Sequence, residues 1–250
     1  MLLASLAAVS CGRSRALAEE GLRRLEQGKQ TSALELFDRA LRSDPNEALA
    51  LYGKGTLLAE EQITEQIALA MLNQAVQQTG LADRYRIRAF LRIAEIHAQR
   101  GQKDDALQNL SKISGTQKLA DGVHARRVAA IYLKMKEKDR AREALTAYME
   151  TNAHDEETDF YLTRLYALEL KDLKNAAKRC AQPDWQKSQL PRYLLACTKI
   201  TASQGAYPAA LNLIDLYMKK AGQAVTKDIN DLRESINKKR GRFDVGDADF

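Results

Sequence analysis

The side chains that could carry acid–base or metal chemistry lie along the chain without the spacing that such chemistry needs. None of His97, His124 and His154 pairs with another at metal-ligand spacing or stands in a known nucleophile motif. The chain contains no glycine-rich phosphate loop, no G-x-S-x-G and no H-E-x-x-H. The adjacent carboxylates at 60–61 and 104–105 fall in turns, where solvation and helix capping explain them. The sequence therefore predicts a protein that is not an enzyme, with no metal and no cofactor.

Cys11 differs from the other two cysteines in the segment before it. Residues 1–10 are uncharged, mostly apolar and end in small residues, as a secretion signal does. The run Ala8-Val9-Ser10-Cys11 resembles the lipobox of bacterial lipoproteins. That resemblance implies a signal peptide at 1–10, a lipidated N-terminus at 11–13 and a diacylglycerol on the Cys11 thiol.

The segment departs from the lipobox pattern at two points. Ala8 stands where Leu is usual, and the positively charged start is missing, so we expect a truncated signal peptide. Gly12 rather than Asp follows the cysteine, which in these lipoproteins implies sorting to the outer membrane. The alternative is a frayed apolar N-terminus with an ordinary thiol.

Cys180 and Cys197 lie near the facing ends of two consecutive predicted helices. A disulfide between them is geometrically feasible and would persist if the chain is exported to an oxidising compartment. Two buried, unbridged thiols that act as small apolar side chains are the alternative. Neither cysteine has a metal-ligand partner at suitable spacing.

A repeat of small and bulky residues begins at Ser14. Its first copy has small residues at positions 8, 15 and 20 and an apolar stripe at helical spacing, ending in a proline that cannot extend the second helix. These residues are Gly21, Gly28, Ala33, Phe37, Ala40 and Pro45. The pattern resembles the tetratricopeptide repeat (TPR), a helix pair of about 34 residues.

The unit recurs through most of the chain. The copies after the first are marked by Gly55, Ala68, Leu72 and Ala75; by Ala94, Gly101, Ala106, Leu110 and Ile113; by Ala129, Tyr132, Ala141, Leu145 and Tyr148; by Ala176 and Cys180; and by Gly205, Ala210, Ile214 and Tyr217. The fifth copy is weak, because Arg164 occupies its small position and Pro183 shortens its second helix.

The TPR resemblance implies an all-α fold, a right-handed superhelix (α-solenoid) of about six helix pairs over residues 14–240. The amphipathic segment 225–240 is expected to form a C-terminal capping helix that covers the apolar side of the last pair. The remaining residues, 241–250, lack periodicity and are expected to be a disordered tail.

In TPR proteins, defined positions on the first helix of each pair point into a concave groove. In this chain they are Tyr52, Thr56, Arg88, Arg92, Glu95, Gln99, Arg126, Arg127, Lys134, Tyr161, Arg192 and Lys199. They predict a cationic groove with aromatic edges that binds a protein segment bearing carboxylates. The alternative places several of the arginines at the rim, where they only keep the surface hydrated.

The net charge of +6 is concentrated between residues 81 and 146, which hold fifteen Lys and Arg against eight Asp and Glu. No aromatic stacking platform or known nucleic-acid motif accompanies these residues. We therefore expect no nucleic acid partner, and we expect the membrane to be contacted only through a lipid on Cys11.

A lipobox followed by six such repeats resembles in layout the pilotin lipoproteins of type IV pilus systems. Those proteins sit on the inner leaflet of the outer membrane and promote assembly of the secretin ring. The resemblance implies a lipid-anchored scaffold on the periplasmic face of the outer membrane, with a secretin subunit as its partner. Two alternatives stay open: an adaptor that presents substrates to a periplasmic protease or cell-wall enzyme, and a cytoplasmic interaction protein.

Overall fold

A computed structural model describes residues 2–113, 121–222, 225–239, 243 and 245–246. Every regular element within these ranges is helical. An abundance of Ala, Leu, Glu, Lys and Arg, with few aromatic residues, favours this outcome. The chain forms two units, residues 1–118 and 119–250.

The first unit contains three helix pairs in its described part. They are α1 (Leu2–Glu26) with α2 (Gln30–Ser43), α3 (Ala48–Leu58) with α4 (Glu65–Gln77), and α5 (Asp83–Gln99) with α6 (Lys103–Ser111). A 3-10 turn, Gln62–Thr64, precedes α4.

The second unit contains three further pairs and one more helix in its described part. They are α7 (Gly122–Lys134) with α8 (Lys138–Thr151), α9 (Glu156–Arg164) with α10 (Leu173–Cys180), α11 (Pro191–Ser203) with α12 (Tyr207–Ala221), and finally α13 (Lys227–Asn237). A π-helical turn, Leu165–Glu169, extends α9. The predicted six pairs are thus confirmed.

The small residues of the repeat let neighbouring helices approach closely. Phe37 on α2 is fully buried, and its ring lies against the backbone of Gly21 on α1 and Gly53 on α3. A Cβ atom at either glycine would overlap that ring. The alanines at position 20 of the repeat, such as Ala33 and Ala141, are also fully buried. The repeat pattern therefore encodes the packing of the helix pairs.

The turn inside five of the six pairs shows the same periodicity in the backbone. Gly28, Gly101 and Gly205 stand at repeat position 15 with φ of 73°, 73° and 77°. Lys136 and Lys171 take the same position in the fourth and fifth pairs, with φ of 63° and 56°. This left-handed conformation suits glycine and strains a residue with a Cβ atom.

The fifth pair is stabilised by a buried polar network instead of a small residue at position 8. The Asp159 carboxylate accepts hydrogen bonds from Arg179 Nε, at 2.6 Å, and from the Tyr193 hydroxyl, at 2.9 Å. The Tyr193 hydroxyl also bonds to Thr163 Oγ1 at 2.9 Å. Burial, followed by the charge of Asp159, raises the pKa of Tyr193, so this hydroxyl stays protonated. The network joins α9, α10 and α11.

A disulfide between Cys180 and Cys197 reinforces the same junction. It links the end of α10 to α11, with the two Cα atoms 5.4 Å apart. The indole of Trp185 donates from Nε1 to the Cys180 carbonyl at 3.1 Å and packs 5.1 Å from the Tyr193 ring, between centroids. The loop between the two cysteines is therefore fixed at its ends by the disulfide and near its middle by Trp185.

The last helix packs on the sixth pair. Ile236 of α13 is fully buried in a cluster with Ala210 and Ile214. The tail expected to be disordered differs in part: the Phe243 ring lies 6.1 Å from that of Tyr207, and Val245 packs against a core cluster. Both side chains are apolar, so their packing removes apolar surface from water and is favourable. Sequence periodicity detects regular helices and cannot predict such isolated contacts. The rest of residues 240–250, apart from Gly246, falls outside the described part.

Gly53→Ala is expected to destabilise the protein by about 1–3 kcal/mol, because the added methyl group overlaps the buried Phe37 ring. Urea denaturation followed by circular dichroism measures the change. Gly80→Ala is the matched control, since a Cβ atom there meets no atom within 4 Å. Equal denaturation midpoints for Gly53→Ala and the wild type would contradict this account of the packing.

Lys136→Gly is expected to stabilise the protein by about 0.5–1 kcal/mol, because glycine adopts the left-handed turn without strain. Ala130→Gly on the neighbouring helix α7 is the control and should destabilise by about 1 kcal/mol. A thermal melt of both variants checks the opposite signs. A loss of stability in Lys136→Gly would show that the turn is not strained.

Candidate partner-binding surfaces

The first helices of the pairs in the first unit line a cleft of about 270 Å³. Its lining residues are Arg15, Glu19, Leu22, Arg23, Glu26, Leu49, Arg84 and Tyr85. Six of the eight come from α1 and α3, and none of the eight is among the groove residues predicted from the repeat. Arg84 and Tyr85 come from the first turn of α5, ahead of repeat position 1, so the repeat register did not include them.

The charges of this cleft are largely neutralised within the unit. Arg15 lies 3.0 Å from Glu19 and 3.5 Å from Glu47, and it also donates to the Gly80 carbonyl at 3.2 Å. Arg23 pairs with Glu20 at 2.7 Å. The cleft therefore offers little net positive charge to a carboxylate.

The predicted groove residues of the second repeat are engaged in packing. Tyr52 is only 8% exposed and its ring lies 5.1 Å from that of Tyr85, between centroids. Thr56 donates its hydroxyl hydrogen to the Tyr52 carbonyl at 2.8 Å. Little of the Tyr52 ring is therefore left for a partner, because the aromatic ring is buried against α5.

The predicted residues of the third repeat divide into two kinds. Arg92 donates to the Ala59 carbonyl at 2.8 Å and pairs with Glu95 at 3.3 Å, so it ties α5 to the end of α3. Arg88 and Gln99 are exposed. Of the two predicted cations here, only Arg88 can meet a partner without breaking a structural contact.

In the second unit, Arg126 also has a structural role. Its side chain is 14% exposed and binds the start of α9, with Thr158 Oγ1 at 2.8 Å and Glu157 at 2.9 Å. Asp155 caps the same helix by accepting from the Thr158 N–H at 2.9 Å and from the Tyr148 hydroxyl at 2.8 Å. Burial acts to raise the pKa of Asp155, but these hydrogen bonds and the nearby Arg126 outweigh it, so the pKa lies below its usual value.

An exposed patch on the first helices of the second unit combines apolar and cationic groups. Val123 on α7 is 56% exposed and Tyr161 on α9 is 39% exposed. The Arg126 guanidinium carbon lies 5.7 Å from the Tyr161 ring centroid. The exposed Arg192 of α11 lies 4.8 Å from the Phe160 ring centroid. We call Val123, Arg126, Tyr161 and Arg192, together with the buried Phe160 ring beneath Arg192, the aromatic–cationic face.

The remaining predicted residues lie outside this face. Lys134 is exposed at the end of α7, whereas Arg127 and Lys199 are half-buried. Cys11 lies within α1, and its side chain is not among the described residues, so lipidation stays a prediction.

Two of the three histidines, His97 and His124, lie beside partners that are near them in sequence. His97 Nδ1 lies 2.9 Å from Gln102 Oε1, and His124 Nδ1 lies 2.7 Å from Asp121. Across the described residues, no cluster of His, Cys, Asp and Glu could hold a metal ion.

A second cleft, of about 410 Å³, lies between the start of α9 and the loop 181–190, with Glu156, Asp159 and Asp184 among its lining residues. All three carboxylates have partners: Glu156 accepts from the Gln189 N–H, Asp159 binds Arg179, and Asp184 pairs with Lys187. This cleft is therefore internally satisfied and offers no evident chemistry.

Solved structures share the fold of this chain. That of Pseudomonas aeruginosa pilF aligns with a TM-score of 0.61 and 15% identity over 92% of this chain and 99% of that chain. The structure of YrrB, described as a TPR protein with an unusual peptide-binding site, aligns with a TM-score of 0.43 and 17% identity over 89% of this chain and 90% of that chain. The TPR2AB domain of yeast Sti1, in complex with pHSP90, aligns with a TM-score of 0.40 and 15% identity over 94% of this chain and 99% of that chain. No family model and no curated protein sequence matches the chain.

The described part of the chain is therefore all-α, and its fold is of the TPR type, as the repeat predicts. In the described part of the chain, no helix is both long and apolar enough to cross a bilayer.

The lowered pKa of Asp155 predicts a loss of stability in acid. Its contribution is fully present above the unfolded-state pKa of about 3.9 and is lost as pH falls through the lower folded-state value. Asp155→Asn should lower the urea midpoint at pH 7. It should also reduce the difference between the urea midpoints measured at pH 7 and at pH 2. Glu150→Gln, an exposed change on α8, is the control and should leave that difference unchanged. If the urea midpoints at pH 7 and pH 2 differ as much in Asp155→Asn as in the wild type, the Asp155 carboxylate does not contribute to the loss of stability in acid.

Proposed function

We propose that this chain is a non-enzymatic interaction scaffold, anchored through a lipid on Cys11 to the periplasmic face of a bacterial outer membrane. In its most specific form, the proposal is that the chain is a pilotin that assists assembly of the type IV pilus secretin. The observation that carries it is the combination of a lipobox-like Ala8-Val9-Ser10-Cys11 run with six TPR helix pairs.

Two further observations support the proposal. The fold likeness to pilF extends over nearly the full length of both chains, so it is not confined to one local motif. The Cys180–Cys197 disulfide is the kind of bond that persists in the periplasm and is rare in the cytosol. The disulfide therefore favours an exported protein over a cytoplasmic one.

The anchor is tested by intact-mass measurement of the protein from the membrane fraction. A diacylglycerol on Cys11, absent in Cys11→Ser, is expected, and Cys11→Ser should move the protein into the periplasmic fraction. One lipid chain holds a protein only marginally, whereas two hold it stably, so loss of the thiol should release the protein. An unmodified Cys11 would overturn the anchored form of the proposal.

The pilotin role is tested in a strain that lacks this chain. Secretin multimers should be lost while secretin monomer levels stay unchanged, and the wild-type chain should restore them. Unchanged multimers would exclude the pilotin role. Accumulation of periplasmic protease substrates or altered cell-wall composition in the same strain would instead favour an adaptor.

A further inference from the structure

We infer that the aromatic–cationic face of the second unit binds a segment of the partner protein in which an apolar or aromatic side chain is flanked by carboxylates. This inference rests on the proposed scaffold function and adds the place and the chemistry of the contact. It differs from the sequence prediction, which spread the binding residues over both units and gave Arg92 and Arg126 the role of free cations.

The apolar side chains of this face, Val123 and Tyr161, are far more exposed than the side chains of the core. The described residues include four large apolar side chains that are exposed: Ile63, Ile67, Val123 and Tyr161. Two of the four belong to this face. Val123 precedes Arg126 by three residues on α7, so both lie on one side of the helix, and Arg126 contacts the Tyr161 ring. A partner side chain packed against Tyr161 beside Arg126 would lie along the side of α7 that also presents Val123.

Tyr161 is also held in place before any partner arrives. Its ring packs edge-on to Phe160, with centroids 6.5 Å apart, and Phe160 is buried against Tyr193 at 5.3 Å. Tyr193 in turn belongs to the network with Asp159 and Arg179. A rigid aromatic anchor loses little conformational entropy on binding, so it is suited to a binding hot spot.

The charge available to a partner comes from Arg192. Arg126 is already neutralised by Glu157 and Asp155 and acts as a support for Tyr161. Arg192 is exposed and forms no ion pair within the described residues; its guanidinium lies over Phe160. A guanidinium stacked on an aromatic ring keeps its edge free for a bidentate bond to a carboxylate. Glu157 of α9 is paired with Arg126 at 2.9 Å, which offsets the charge of that carboxylate.

The test uses the full chain and a fluorescein-labelled synthetic peptide, Ser-Glu-Asp-Phe-Asp-Glu-Ser, in fluorescence anisotropy. Two control peptides replace Phe by Ser, or every acidic residue by Lys. The acidic aromatic peptide should bind, both controls should bind at least about tenfold more weakly, and salt should weaken the binding. Arg192→Glu and Tyr161→Ala should each reduce affinity about tenfold.

Arg88→Glu is the matched control, because it makes the same charge change at an exposed arginine on a first helix of the first unit. It should change affinity less than about twofold. Circular dichroism must show equal helicity for all variants. Equal weakening by Arg88→Glu and Arg192→Glu, equal binding of the Lys peptide, or no binding of the acidic peptide would overturn the inference.

The failure of this inference can be separated from failure of the proposed function in cells. If Arg192→Glu with Tyr161→Ala leaves secretin multimers intact while Cys11→Ser abolishes them, the scaffold role stands and the face is wrongly assigned. If the strain that lacks the chain also keeps its secretin multimers, the pilotin role itself is wrong.

Discussion

Close approach of neighbouring helices is the constraint on which the rest of this structure depends. Phe37 can be fully buried between α1, α2 and α3 only because Gly21 and Gly53 carry no side chain. Cores pack at nearly crystalline density, so even one extra methyl group must displace its neighbours. The same requirement, met by alanines at equivalent positions, recurs along the chain, and within each unit it brings the first helices of successive pairs side by side.

The fifth pair shows what replaces this packing when the small residue is missing. Arg164 cannot allow the same approach, and α9 continues into a π-helical turn rather than a regular end. Directional contacts take over: the buried Asp159 carboxylate binds both Arg179 and Tyr193. A buried charge is tolerated only when its hydrogen bonds are satisfied, so these groups depend on one another. Two of the helices that carry the aromatic–cationic face, α9 and α11, are joined by this polar network.

The number and order of helix pairs could be predicted from the sequence because the spacing of small and apolar residues directly encodes packing. The candidate surface could be predicted only in part, because repeat register gives the side of a helix and not the partners of a side chain. Arg92 and Arg126 lie on the predicted helices but are bound to the Ala59 carbonyl and to the start of α9. Those partners are distant in sequence and have no pattern of their own.

The covalent link between Cys180 and Cys197 has a consequence for the integrity of the folded chain. The bond encloses the whole loop 181–190, and Lys220 donates from α12 to the carbonyls of Gln186 and Ser188 at 2.9 and 3.1 Å. A protease that cuts one peptide bond in that loop would produce two fragments that remain attached to each other. The chain would then survive such a nick as a single particle, because the disulfide still joins its last two helix pairs.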